Sequence, residues 1–189
     1  MRRLRSDGLV RKLLPGERDA LLGHLLRLDM DSRRTRFGHV DGAFLAAYAR
    51  QAFADGAVLH GWFEHGTLRA VAELHPLGSW RKAEAAFSVE APYQDLGIGS
   101  RLLGATLVAA RNRGAAALEM QCLFENRRMQ AIARKGGARL RFDYAAACAE
   151  IVPRRPTALS YLREAITDSS LFAEALFDLP ARRVGIAGA

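Results

Sequence analysis

The fold is decided by one stretch of the sequence, AEAAFSVEAPYQDLGIGS, which occupies residues 83–100. Residues 83–90 are typical of a strand, and Pro92 ends it because proline cannot donate a ladder hydrogen bond. Gly97 and Gly99 then open a predicted helix that continues to about Arg113. A helix N-terminus leaves backbone N–H groups unpaired and positively polarised, and glycine lets a bulky anion approach closely. The stretch therefore predicts a cradle for a pyrophosphate.

The glycine spacing does not fit the two common nucleotide-binding loops. A Walker loop needs a Gly-Lys pair followed by Ser or Thr, whereas Ser100 directly follows Gly99. The dinucleotide pattern needs a small residue three positions after Gly99, where this chain has Leu102. Both nucleotide-binding interpretations are therefore excluded.

The pattern of apolar residues on either side predicts an α/β fold with one mixed sheet flanked by helices. Strands are predicted over residues 10–14, 57–64, 67–75, 83–90, 116–124, 139–142 and 145–152. Helices are predicted over residues 17–28, 43–53 and 126–135, besides the one after Gly99. Residues 31–37 are predicted to form an arginine-rich connection, and His65-Gly66 a two-residue hairpin turn. Residues 1–153 are expected to form the domain, and residues 154–189 a helical tail.

With these parts in order, residues 83–138 resemble the GNAT superfamily of acyl-CoA-dependent N-acyltransferases. Gln-x-x-Gly-x-Gly matches the family's pyrophosphate loop, and Asn126 matches the asparagine that opens the helix after the fifth strand. The resemblance implies a mostly antiparallel sheet, splayed between its fourth and fifth strands, with acetyl-CoA as the donor held in the opening. A backbone N–H near Val89 would polarise the thioester carbonyl. The implied cofactor-binding residues are Phe87, Ser88, Val89, Gln94, Asp95, Leu96, Gly97, Ile98, Gly99, Ser100 and Asn126.

The sequence before the sheet is similar to one branch of that family. The segment DSRRTRF at residues 31–37 resembles the Ser-x-x-Ser-x-x-Arg-Phe segment of bacterial protein-lysine acetyltransferases. The Ala83-Glu84 pair and the asparagine-led helix are also similar to that branch. The resemblance implies that the acceptor amine is a protein lysine, although the same arginines also suit a solvated connection between helices.

Direct attack by a lysine amine requires a base, because the amine's pKa is near 10.4. Glu84 matches the position of the proposed base in the lysine acetyltransferase branch, and Glu73 on the preceding strand is the second candidate. Many GNAT enzymes place a tyrosine seven residues after the asparagine to protonate the departing thiolate, but this chain has Ala133 there. Tyr144 and Tyr93 are the possible substitutes.

Composition restricts the remaining possibilities. The net charge of +8 favours an anionic partner, but no basic-aromatic alternation or recognition motif indicates nucleic acid. The five histidines and two cysteines show no ligand spacing, so we expect no metal, and no apolar run is long enough for a membrane span. The cytoplasm is the expected compartment. A small-molecule amine acetyltransferase and a non-catalytic acyl-CoA-binding domain remain as alternatives, and the oligomeric state stays open.

Overall fold

The computed structural model describes residues 8–38, 40–143 and 146–177. Its strands are β1 (Gly8–Lys12), β2 (Val58–Glu64), β3 (Thr67–Leu77), β4 (Ser79–Val89), β5 (Ala117–Leu123), β6 (Arg139–Asp143) and β7 (Ala146–Ile151). Its helices are α1 (Arg18–Arg27), α2 (Met30–Phe37), α3 (Gly42–Gln51), α4 (Ile98–Asn112), α5 (Arg127–Lys135) and α6 (Ala158–Phe177).

The strands form one sheet in the order β1-β2-β3-β4-β5-β7-β6. All neighbours are antiparallel except β4 and β5, which run parallel. These two strands pair only where residues 82–84 meet residues 117–119, and beyond that point they separate. The prediction of a mixed, mostly antiparallel sheet splayed between its fourth and fifth strands is therefore confirmed.

Helices cover the sheet on both faces. On one face, the buried leucines of α1 and α3 pack on β2 and β3 and include Leu21, Leu25 and Leu45. On the other face, α4 and α5 pack on β4 and β5 through Leu103 and Ala133. Two separate clusters of apolar side chains thus cover the two faces of the sheet, and the splay opens next to α4, α5 and α2.

The turn between β2 and β3 is the predicted two-residue hairpin. His65 has a φ of 49° and Gly66 a φ of 71°, both in the left-handed region that such a turn requires. The prediction of a connection over residues 31–37 is wrong, because these residues lie in α2. Asp29 caps this helix by accepting from the Ser32 backbone N–H at 2.7 Å. None of its residues is buried, so no apolar stripe indicated the helix.

The described part of the tail forms a single long helix, α6. Its Glu164 accepts hydrogen bonds from Asn112, the last residue of α4, and from Arg113, which follows it, each at 2.6 Å, and Ser160 is buried. The predicted boundary at residue 153 falls between β7 and α6, and the division into a domain and a tail stays a prediction. Over the described ranges, no helix is sufficiently long and apolar to cross a membrane.

Candidate active site

A cleft of about 670 Å³ opens where β4 and β5 separate. Its walls come from α2, the end of β4, the loop into α4, and the start of α5. The predicted cofactor-binding residues that line it are Phe87, Ser88, Val89, Gln94, Asp95, Gly97, Ile98, Gly99, Ser100 and Asn126. The remaining one, Leu96, instead packs against a buried cluster that contains Trp62 and Ile98.

The N-terminus of α4 presents bare backbone N–H groups to this cleft. Gly97 precedes the helix with a φ of 80°, and no described side chain caps this helix end. The first helical bond runs from the Arg101 N–H to the Gly97 carbonyl, so the amides of residues 98–100 remain available. A Cβ on Gly99 would lie 2.6 Å from Ile132 Cδ1, so glycine lets α5 pack closely against the start of α4. This end of α4 is therefore suited to bind a polyanion.

The edge of β4 presents a second set of backbone groups. The Glu90 N–H donates to the Arg69 carbonyl of β3. Because backbone groups alternate in direction along a strand, the Val89 N–H and carbonyl point away from β3, toward the splay. The Val89 carbonyl accepts from Gln94 Nε2 at 3.0 Å, and the same nitrogen lies 3.0 Å from Ser32 Oγ of α2. Gln94 thus connects the loop before α4 with the end of β4 and with α2.

The N-terminus of α5 closes the opposite side of the cleft. Asn126 caps this helix, because its side-chain oxygen accepts from the Met129 backbone N–H at 3.0 Å. Two ion pairs span the cleft mouth: Arg128 Nε lies 3.2 Å from Asp95 Oδ2, and Arg34 lies 2.6 Å from Glu125. Both pairs are exposed, so they contribute little stability but add charge around the opening.

The sequence profile of the acetyltransferase (GNAT) family matches residues 24–137, more than half of the 189-residue chain. The chain belongs to the GNAT acetyltransferase family. Its acyl donor is acetyl-CoA, and the reaction class is N-acetylation. No curated protein matches the sequence significantly.

Solved GNAT structures share the fold at low sequence identity. The GNAT domain of PAT from S. lividans is 20% identical, with a TM-score of 0.64 over 76% of this chain and 89% of that chain. The protein yncA from Salmonella typhimurium, solved with its cofactor acetyl-CoA, is 14% identical, with a TM-score of 0.63 over 81% and 98% of the two chains. A cAMP-binding acyltransferase from Mycobacterium smegmatis, solved as a mutant, is 24% identical, with a TM-score of 0.55 over 84% of this chain and 50% of that chain.

The two candidate bases of this GNAT enzyme lie on the same face of the sheet in different surroundings. Glu84 is the last β4 residue paired with β5, and it lies between His75 of β3 and Glu119 of β5 in the strand register. It is partly exposed, and its carboxylate has no hydrogen-bond or ion-pair partner among the described residues. Glu84 lies beyond the lining of the cleft itself, at the point where the strands begin to separate.

Glu73 is fully buried, and its carboxylate is saturated with partners. Tyr48 donates to it at 2.5 Å, Arg36 at 3.0 Å, and His75 Nε2 lies 3.4 Å away. Burial opposes ionisation of Glu73, but the charge of Arg36 and the bonds from His75 and Tyr48 outweigh it and lower the pKa to about 2. Such a carboxylate is a weak base, so of the two candidates the surroundings favour Glu84.

Neither Tyr93 nor Tyr144, the two candidates for the missing acid, can be assigned that role. Tyr93 lines the cleft, but its hydroxyl donates to Glu64 at 2.5 Å. Tyr144 lies outside the described residues. Ala133 of α5, at the family's tyrosine position, is buried in the core. An acid for the departing thiolate therefore stays unassigned.

Sequence reasoning missed a buried polar network beside the cleft. His24 of α1 contacts Ser88 Oγ through Nε2 at 2.9 Å and Glu90 Oε1 through Nδ1 at 3.2 Å. One signal was available, because His24 falls three residues after Leu21 on the buried stripe of α1. A histidine at a core position needs polar partners, but only the folded chain identifies them.

Proposed function

We propose that this protein acetylates the side-chain amine of a lysine in another protein, with direct attack of the amine on bound acetyl-CoA. The observation that carries the proposal is the position of Glu84, a carboxylate without a described partner at the point where β4 and β5 separate. The likeness to the GNAT domain of PAT, a protein acetyltransferase, supports the choice of a protein acceptor.

The donor would use the two sets of backbone groups in the cleft. Its pyrophosphate would bind the N–H groups at the start of α4, and its pantetheine arm would lie along the β4 edge. The thioester would then come close to the Val89 N–H, which points toward the splay. This N–H would stabilise the negative charge that develops on the carbonyl oxygen during attack.

Glu84 would take the proton that the attacking amine must lose. A lysine amine with a pKa near 10.4 is almost entirely protonated at neutral pH, so the base acts before or during attack. The departing CoA thiol resembles a free cysteine, with a pKa near 8.5, and it leaves tolerably as a thiolate without a dedicated acid. The alanine at position 133 is compatible with this mechanism.

The charges beside Glu84 favour a cationic acceptor. The strand register aligns Glu84 with Glu119 of β5 and Glu150 of β7, so their side chains lie on one face. Lys82 contacts Glu119 at 2.9 Å, and Arg139 of β6 stands opposite Glu150 in the register, so Glu84 is the carboxylate of this row that is left for an incoming ammonium group. A lysine, and especially one with basic neighbours, fits this surface better than an acidic segment does.

Turnover measurements on protein substrates and small amines test the proposal. We expect CoA release and lysine acetylation with a protein acceptor, and a loss of about 10²-fold in Glu84→Gln with unchanged acetyl-CoA binding. Glu150→Gln, which removes a carboxylate further along the same row, is the matched control. Fast turnover of a small amine would overturn the protein acceptor, and tight acetyl-CoA binding without any turnover would indicate the non-catalytic alternative.

A further inference from the structure

The buried network of His24, Ser88 and Glu90 has the connectivity of a nucleophile, a base and an orienting carboxylate. The Ser88 hydroxyl lies 2.9 Å from His24 Nε2, and Glu90 Oε1 lies 3.2 Å from His24 Nδ1. All three residues are nearly inaccessible, with exposed fractions of 0% for His24, 6% for Ser88 and 4% for Glu90. The mechanism proposed above uses none of these side chains.

The charges around the network fix the direction of its hydrogen bonds. Arg27 and Arg69 contact Glu90 at 2.9 and 3.1 Å, and with His24 they outweigh burial and keep the Glu90 pKa below its usual value. Burial also lowers the pKa of His24, so its imidazole is neutral. The ionised Glu90 then accepts from Nδ1–H, and Nε2 is left to accept the proton of Ser88.

Ser88 also borders the part of the cleft where the proposed binding mode would place the donor's thioester. It lines the cleft with its neighbours Phe87 and Val89, so its buried position still borders the donor's path. The Val89 N–H follows directly in the chain and points toward the splay. A hydroxyl backed by a base and a backbone donor for the carbonyl oxygen are therefore adjacent, which is the arrangement that acyl transfer to a serine requires.

We propose that Ser88 is an acyl-accepting nucleophile, with His24 as its base and Glu90 as the residue that orients His24. When no amine is bound, this centre would pass the acetyl group of acetyl-CoA to water. The inference rests on the proposed function because acetyl-CoA must occupy the cleft.

The first half of the reaction forms an acetyl ester on the enzyme. Ser88 Oγ attacks the thioester carbonyl carbon while His24 Nε2 takes the hydroxyl proton. The C–S bond then breaks, and His24 returns that proton to the sulfur, so CoA leaves as the thiol. In the second half, His24 takes a proton from water, whose oxygen attacks the ester, and gives it to Ser88 Oγ, which releases acetic acid.

The experiment incubates the full chain with acetyl-CoA and no amine, follows CoA release, and maps the acetyl group by mass spectrometry after an acid quench. We expect slow CoA release and an acetyl group on Ser88. Ser88→Ala should reduce CoA release by about a hundredfold or more, and His24→Gln should reduce it comparably although the serine remains. Ser79→Ala, at the exposed start of the same strand, should behave as wild type.

Binding of acetyl-CoA, measured by thermal shift for each variant, separates the possible failures. A donor that binds the wild type without acylating Ser88 or releasing CoA overturns the nucleophile and leaves a structural network. CoA release that persists in Ser88→Ala, or an acetyl group found on another residue, does the same. Absence of acetyl-CoA binding to the wild type would instead contradict the donor site of the proposed function.

Discussion

Two helices begin at the cleft, and their N-termini differ in one decisive respect. The start of α5 is satisfied from within, because the Asn126 side chain accepts from the Met129 N–H. The start of α4 follows Gly97, which has no side chain to offer, and its amides remain bare. Both ends carry the same helix dipole, but the start of α4 leaves the three consecutive amides of residues 98–100 for a phosphate. Asparagine or glycine at the first position thus decides whether a helix end is structural or binds a ligand.

The two glutamates on the neighbouring strands repeat this difference. Glu73 is surrounded by Arg36, Tyr48 and His75, while Glu84 has no described partner. Of these two glutamates, the saturated one stabilises the fold, and the one without a described partner is left for chemistry. Substitutions that remove a saturated group, or that change a group without described partners, test whether the first affects stability and the second affects activity.

The largest expected effect on stability is that of Glu73→Gln. The substitution removes the fully buried charge of Glu73 and leaves the largely covered Arg36, with a side chain 18% exposed, without its counter-charge. Breaking such an ion pair costs about 3–5 kcal/mol of unfolding free energy. Urea unfolding measures the loss, and Glu84→Gln is the matched control, with an expected change within about 0.5 kcal/mol. Equal losses in the two variants would contradict the contrast between the glutamates.

Acid should remove the same stabilisation gradually. The Glu73 pKa of about 2 in the folded chain lies below the ordinary value of 4.5, so its contribution is complete above pH 4.5. The contribution is lost as the pH falls from about 4.5 to about 2, and it amounts to about 3 kcal/mol. We therefore expect the difference in unfolding free energy between wild type and Glu73→Gln to shrink over this range. A difference that stays constant from pH 5 to pH 2 would exclude Glu73 as its source.

Gly97→Glu should make the N-terminus of α4 repel the pyrophosphate that it is proposed to bind. A carboxylate beside the donor's pyrophosphate, on a residue whose φ of 80° disfavours any side chain, should weaken acetyl-CoA binding by about a hundredfold or more. At a donor concentration a hundredfold above the wild-type dissociation constant, thermal stabilisation corresponding to about 2.7 kcal/mol should largely disappear. Gly104→Glu, which places the same charge on the exposed side of α4, should retain the stabilisation.

The sequence predicted those parts of the molecule that depend on local signals. Gly97 indicated the turn that opens α4, and His65-Gly66 the hairpin, because such backbone conformations restrict residue type directly. The binding of a pyrophosphate at this turn stays a prediction. Helix α2 was missed because it buries no residue and thus shows no apolar period. The His24–Ser88 contact joins residues 64 positions apart, and nothing local to either residue specifies the other. Partners of buried polar groups emerge only from the folded arrangement of the strands.

The smallest expected effect, that of Asn126→Ala, sharpens the comparison of the two helix ends most directly. Loss of the side-chain cap should cost about 1 kcal/mol of unfolding free energy, because the Met129 N–H loses its acceptor. The affinity for acetyl-CoA should fall less than it does in Gly97→Glu, because the bare amides of α4 are unchanged. Urea unfolding and a thermal-shift titration measure the two quantities separately. A large loss of donor affinity with unchanged stability would mean that Asn126 contacts the donor itself, and that the start of α5 is a second binding end rather than a structural one.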